Sequence, residues 1–128
     1  MSQCKRGPLL SISRLTAAAG REDALREAIL ATVGPALEAP GNLGFVVHVS
    51  RDDPRHFLLL EHWTGEQDLD KHMKDAGMLS FLKKTAQMGL IAEGPEASHW
   101  TELAGSQFRD GLNDESCRCG PAEVILPE

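Results

Sequence analysis

One stretch constrains this chain more than any other: Phe57-Leu58-Leu59-Leu60-Glu61-His62-Trp63, followed by Thr64-Gly65-Glu66-Gln67-Asp68-Leu69-Asp70-Lys71-His72. The first half is short, rich in large apolar residues and preceded by the turn-like Arg51-Asp52-Asp53-Pro54, so it reads as a strand. Alternation puts Phe57, Leu59 and Trp63 on one face and Leu58 and Leu60 on the other. A strand apolar on both faces has to be covered on both. Glu61 stands alone as a charge on the Phe57/Leu59/Trp63 face. The second half reads as a helix start, with Thr64 and Gln67 spaced for a capping box. Leu69, His72 and Met73 then share a helical face, which aims His72 the same way as two core residues.

The remaining elements follow from periodicity. Leu9 to Leu15 alternates as a first strand, and Gly20 breaks it. From Arg21 to Glu38, apolar residues recur at helical spacing; Gly34-Pro35 implies either a kink or a fresh start of the helix. Leu43 to Ser50 is a second strand, with Leu43, Phe45, Val47 and Val49 on one face and Gly44, Val46, His48 and Ser50 on the other. The short polar loop 51–55 suits an antiparallel hairpin. Asp75-Ala76-Gly77 punctuates the helix after the third strand, and Gly89 and Gly94-Pro95 bracket a loop. Ala97 to Leu103 is a fourth strand. The order β-α-β-β-α-β predicts an α+β, ferredoxin-like antiparallel sheet with helices on one face. Its other face carries apolar residues and calls for a second cover.

Composition narrows the function. A net charge of −6 argues against nucleic-acid and anionic-membrane partners. No apolar run approaches the roughly 20 residues of a spanning helix, and no signal peptide is evident at the start of the sequence. Three cysteines fit a reducing compartment, so the expected location is cytoplasmic. With no tyrosine, a phenolic proton donor is missing. There is no P-loop, Rossmann fingerprint or nucleophile elbow. Cys117-Arg118-Cys119 lacks the second pair of a zinc ribbon, leaving a thiol- or metal-dependent function as a weak third class.

Several side chains could carry chemistry. His72 reads either as a proton shuttle, its ordinary pKa lying near neutrality, or as a satisfied histidine at a sheet–helix edge. Glu61 in a buried strand must be paired or neutral; it could orient a histidine or bridge two subunits through Arg14 or Arg55. Trp63 could wall a pocket for an aromatic ring or simply pack. His48, His62 and His99 could approach one another, yet no compact metal-ligand motif accompanies them, and no metal is expected. Asn42 could offer an amide to a carbonyl or serve only its turn.

Glu61-x-Trp63, the short helix carrying His72, and Met78-Leu79-x-Phe81-Leu82 together resemble the antibiotic biosynthesis monooxygenase superfamily, over about residues 7–103. The resemblance implies a dimeric ferredoxin-like domain within residues 1–103, paired sheet to sheet, with 104–128 as a tail whose Val124-Ile125-Leu126 could dock on the partner subunit. It further implies a cofactor-independent monooxygenase acting with molecular oxygen on a quinol, anthrone or similar small aromatic substrate. His72 and Glu61 would be catalytic, and Trp63, His48 and Asn42 substrate-binding. The alternative is a non-catalytic dimeric small-molecule-binding or stress-response module of the same fold. A haem-degrading relative fits less well: Ser11 and Ser13 stand on strand one where those relatives resemble one another by an asparagine.

Overall fold

A computed structural model describes residues 7–105. Four strands, β1 (Leu9–Ala17), β2 (Asn42–Val49), β3 (His56–Trp63) and β4 (Ile91–Thr101), form one sheet in the order β2-β3-β1-β4, with all neighbours antiparallel. Helices α1 (Glu22–Leu30) and α2 (Val33–Glu38) lie between β1 and β2; α3 (Glu66–Met73) and α4 (Ala76–Gln87) lie between β3 and β4. This is the α+β, ferredoxin-like arrangement expected from the periodicity.

The helices cover one face of the sheet. There Leu15, Phe45, Phe57 and Leu59 meet Leu25, Ile29, Phe81 and Leu90 in the main core. A smaller cluster of Leu9, Trp63 and Leu69 forms at one end. Between them runs a buried polar row: Glu61 on β3 is opposed by Ser11 on β1, and both are about 95% buried, at 5% and 3% exposure. The opposite face presents Leu10, Ile12, Leu58 and Leu60, half-buried, with Val46 and Trp100 exposed. Since opposed residues on neighbouring strands share a face, these form one apolar surface without a layer over it among the described residues.

Of the two readings left open at Gly34-Pro35, the fresh helix start holds, and two other local features depart from the sequence reading. The long helix of residues 21–38 is two: Thr32 folds its hydroxyl onto the Ile29 carbonyl at 2.7 Å, closing α1, and α2 restarts with Pro35 in its first turn, where a missing N–H costs nothing. No capping box forms. Gly65 is the N-cap of α3, and the Thr64 hydroxyl donates to Asp68 rather than reciprocating with Gln67. Gly94-Pro95 is not a loop but part of β4, which begins six residues earlier than expected. Gly94, at φ +95°, lets the chain pass so close to the Arg14 carbonyl that a Cβ would collide with it; the register slips there, between Arg14 and Thr16. An edge strand also tolerates a proline that donates no ladder bond. Cys117, Cys119 and Val124-Ile125-Leu126 lie outside the described residues.

Candidate active site

The strand pleat brings Glu61 and Trp63 to the same face, two residues apart, and the Trp63 indole Nε1–H donates to Glu61 Oε1 at 3.1 Å. Trp63 is fully buried. From above the sheet, α3 lowers His72 onto the indole: ring centroids are 4.9 Å apart and the planes are inclined by 36°. The entry of α3 is fixed by a crowded corner. Thr64 N–H donates to the Gly41 carbonyl at 2.8 Å, and Asp68 fills the space where a side chain on Gly41 would stand. Gly41 meets this with φ +84° and no Cβ.

His72 is 7% exposed, and neither Nδ1 nor Nε2 has a hydrogen-bond partner. A neutral imidazole carries one donor and one acceptor, and leaving a buried polar atom unpaired costs about 1–3 kcal/mol. Such an anomaly is common where a ligand completes the bonding. Burial lowers the His72 pKa, and the Asp75 carboxylate partly restores it. Burial raises the Glu61 pKa, partly offset by the hydrogen bond from Trp63. Both shifts favour uncharged forms. The cluster therefore packs a carboxyl group, an indole and a base with free nitrogens together in buried surroundings that disfavour charge.

The structure brings together His72, Trp63 and Glu61. Asn42 is the register partner of Trp63 on β2, and its Nδ2 donates to the Gly44 carbonyl at 3.4 Å, which spans a bulge. His48 stands apart. It is opposed by Leu58, on the uncovered face of the sheet, where it lines a cleft of about 490 Å³ with Arg14, His56, Glu93 and Glu96. It cannot share an enclosure with His72 across the sheet. The expected gathering of histidines fails for the same reason. His48 and His62 are on the uncovered face, whereas His99 opposes Ser11 on the helix-covered face. Among the described residues no three metal-ligating side chains converge. Glu61 also faces the helices, so the pleat removes it from any sheet-on-sheet contact, and Arg14 lies on the other face. Arg55 is engaged elsewhere, donating from Nε to the Ala17 carbonyl at 3.0 Å.

Sequence reasoning passed over Ser11. Its signal was available: alternation places two hydroxyls, Ser11 and Ser13, between Leu9 and Leu15 on the helix-covered face, and Ser11 is in register with the Glu61 carboxyl.

A family model described as antibiotic biosynthesis monooxygenase matches residues 8–84. The chain belongs to that family. Among solved structures, a protein of Pseudomonas aeruginosa is 26% identical with a TM-score of 0.71, covering 80% of this chain and 100% of that one. A candidate antibiotic biosynthesis monooxygenase of Nitrosomonas europaea is 23% identical with a TM-score of 0.73, covering 83% of this chain and 98% of its own. A Mycobacterium tuberculosis protein is 19% identical with a TM-score of 0.71, covering 77% and 98%. The latter two, below a quarter identity, share the fold. No curated protein matches the chain. The family match spans the strands and helices that carry Glu61, Trp63 and His72, and it ends within α4. No described helix is long and apolar enough to cross a membrane.

Proposed function

We propose that this member of the antibiotic biosynthesis monooxygenase family oxidises a quinol, anthrone or similar electron-rich aromatic with molecular oxygen, and that His72 removes the substrate proton. The observation that carries this reading is the buried imidazole with both nitrogens unpartnered against the Trp63 ring. An acidic C–H or O–H of the substrate supplies the missing donor. The resulting anion is electron-rich enough to pass electrons to oxygen itself, which removes the need for a flavin or metal. For an anthrone, the methylene carbon takes one oxygen atom to become a carbonyl, and the second oxygen leaves as water with the two hydrogens. The buried surroundings shield the anion from bulk water. Trp63 forms one wall, and Asn42 lies on the adjoining strand.

The uncovered sheet face supports a homodimer. Leu10, Ile12, Leu60, Val46 and Trp100 form a surface of the kind that a second copy buries. On this reading Val124-Ile125-Leu126 docks on the partner subunit, and the protein works in the cytoplasm. The His48 cleft would then lie at the dimer boundary rather than in the catalytic cluster.

The test is oxygen uptake with a panel of quinols and anthrones. Turnover that disappears in His72→Ala, with an unchanged folded spectrum, supports the oxygenase. Ligand-dependent thermal stabilisation without oxygen uptake replaces it with a binding module.

A further inference from the structure

We propose that Glu61, Trp63 and His72 form a relay: the Glu61 carboxyl group, by accepting the indole N–H, strengthens the electron-rich face of Trp63, and that face stabilises the imidazolium that His72 becomes on taking the substrate proton. This deepens the reading of His72 as proton acceptor and assigns Glu61 a positioning role, acting on the base only through the indole.

The geometry leaves few other ways to make this histidine basic. A catalytic imidazole is ordinarily supported by a carboxylate on its second ring nitrogen. Here neither nitrogen has any partner. Burial opposes the charge that His72 would acquire on taking a proton. Two groups can compensate. One is Asp75, in the turn after α3, acting through space. The other is the indole, whose centroid lies 4.9 Å from the imidazole, inside the roughly 6 Å range at which a cation is drawn to a tryptophan face. From β3, the titratable group in this cluster is Glu61, and it is bound to the indole edge, not to the imidazole. Donating an N–H to a carboxylate pushes electron density back into the ring, and in a low-dielectric interior such polarisation is transmitted efficiently. The order carboxylate, indole, imidazole is thus a linear one, with Trp63 as the only described link between the two titrating groups.

The arrangement matters most at the moment of proton transfer. Substrate C–H or O–H loses its proton to a His72 nitrogen; the imidazolium so formed meets the polarised indole face, and the new anion stays on the substrate. No net charge enters the cluster, and none leaves it.

The test is a histidine titration by NMR, following the His72 ring Cε1–H, identified by its loss in His72→Gln. Wild type, E61Q, W63F, the E61Q/W63F double variant and D75N are compared. The relay predicts that E61Q lowers the His72 pKa by about half a unit or more. W63F produces a fall of similar size, and the double variant falls no further than either single. D75N lowers the pKa too, but its effect adds to that of E61Q, because it acts through space. An unchanged His72 pKa in E61Q overturns the relay. So does a double variant whose shift is the sum of the singles, since Glu61 and Trp63 would then act independently. If W63F does not fold, E61Q alone decides. The titration requires no turnover, so an absence of oxygenase activity leaves its result standing, and a failed relay leaves the oxygenase reading intact.

Discussion

The imidazole of His72 rests 4.9 Å from the Trp63 indole with neither of its nitrogens hydrogen-bonded, although the residue is buried. A contact of this kind costs stability and is a natural place for function to be stored.

Replacing His72 by leucine separates the two contributions. The substitution keeps a similar volume and removes two unsatisfied nitrogens, so His72→Leu is expected to stabilise the fold by about 1–2 kcal/mol in urea denaturation. Oxygen uptake falls in the same variant by about 10²–10⁴-fold, the usual range for a lost general base. A variant that is both less stable and fully active would show His72 to be a packing residue.

Stability should respond to pH from both sides of the cluster. The folded-state pKa of His72 is depressed, so its contribution is full above the ordinary histidine value of 6.5 and is lost as pH falls toward the folded value. The folded-state pKa of Glu61 is raised, so its contribution is full below the ordinary value of 4.5 and is lost as pH rises through the folded value. Glu61→Gln keeps an acceptor for Trp63 Nε1 but cannot ionise. It is expected to stabilise the protein by about 1 kcal/mol at pH 7, with the gain vanishing near pH 4. Equal effects at both pH values would contradict the burial of an ionisable Glu61.

Gly41→Ala tests the corner that seats α3. A methyl there meets the Asp68 side chain, and the backbone is left-handed. A loss of about 2–4 kcal/mol is expected from conformational strain and overpacking together. The tilt of α3 should also change, seen as altered near-ultraviolet dichroism from Trp63. Gly20→Ala serves as the comparison: its φ is also positive, at +78°, but nothing stands near its Cβ.

Leu60→Glu probes the uncovered face. Leu60 lies between Ile12 and Val46 in the sheet, at the middle of the apolar surface. A carboxylate there should turn a dimer into a monomer in sedimentation velocity while the helix content stays constant. A monomeric wild type would remove the sheet-on-sheet pairing.

Much of this architecture was legible in the chain. The alternation in residues 57–63 correctly placed Phe57, Leu59, Glu61 and Trp63 on one face, because a strand's two-residue period admits no other arrangement. The helical spacing of Leu69 and His72 aimed His72 at the core for the same kind of reason, whereas Met73, read onto the same face, is exposed. Local chemistry was less transparent. Thr64 found Asp68 in place of Gln67, since a hydroxyl has several acceptors within reach and tertiary crowding at Gly41 selects among them. Gly94-Pro95 carried a turn signal, but the place of β4 at the end of the described sheet let the strand run through it.

The sequence by itself therefore determined the order of the elements, the direction of each side chain within its own element, and the oddity of a lone glutamate on an apolar face. These are consequences of periods of 2 and 3.6 residues, which are properties of the local backbone. Only the tertiary structure decided which elements share a face. It put His48 and His72 on opposite sides of the sheet, drew His99 away from His48 and His62, and set Ser11 beside Glu61. Those relations depend on strand order, register and helix seating, and each of these is fixed by contacts between residues far apart in the chain.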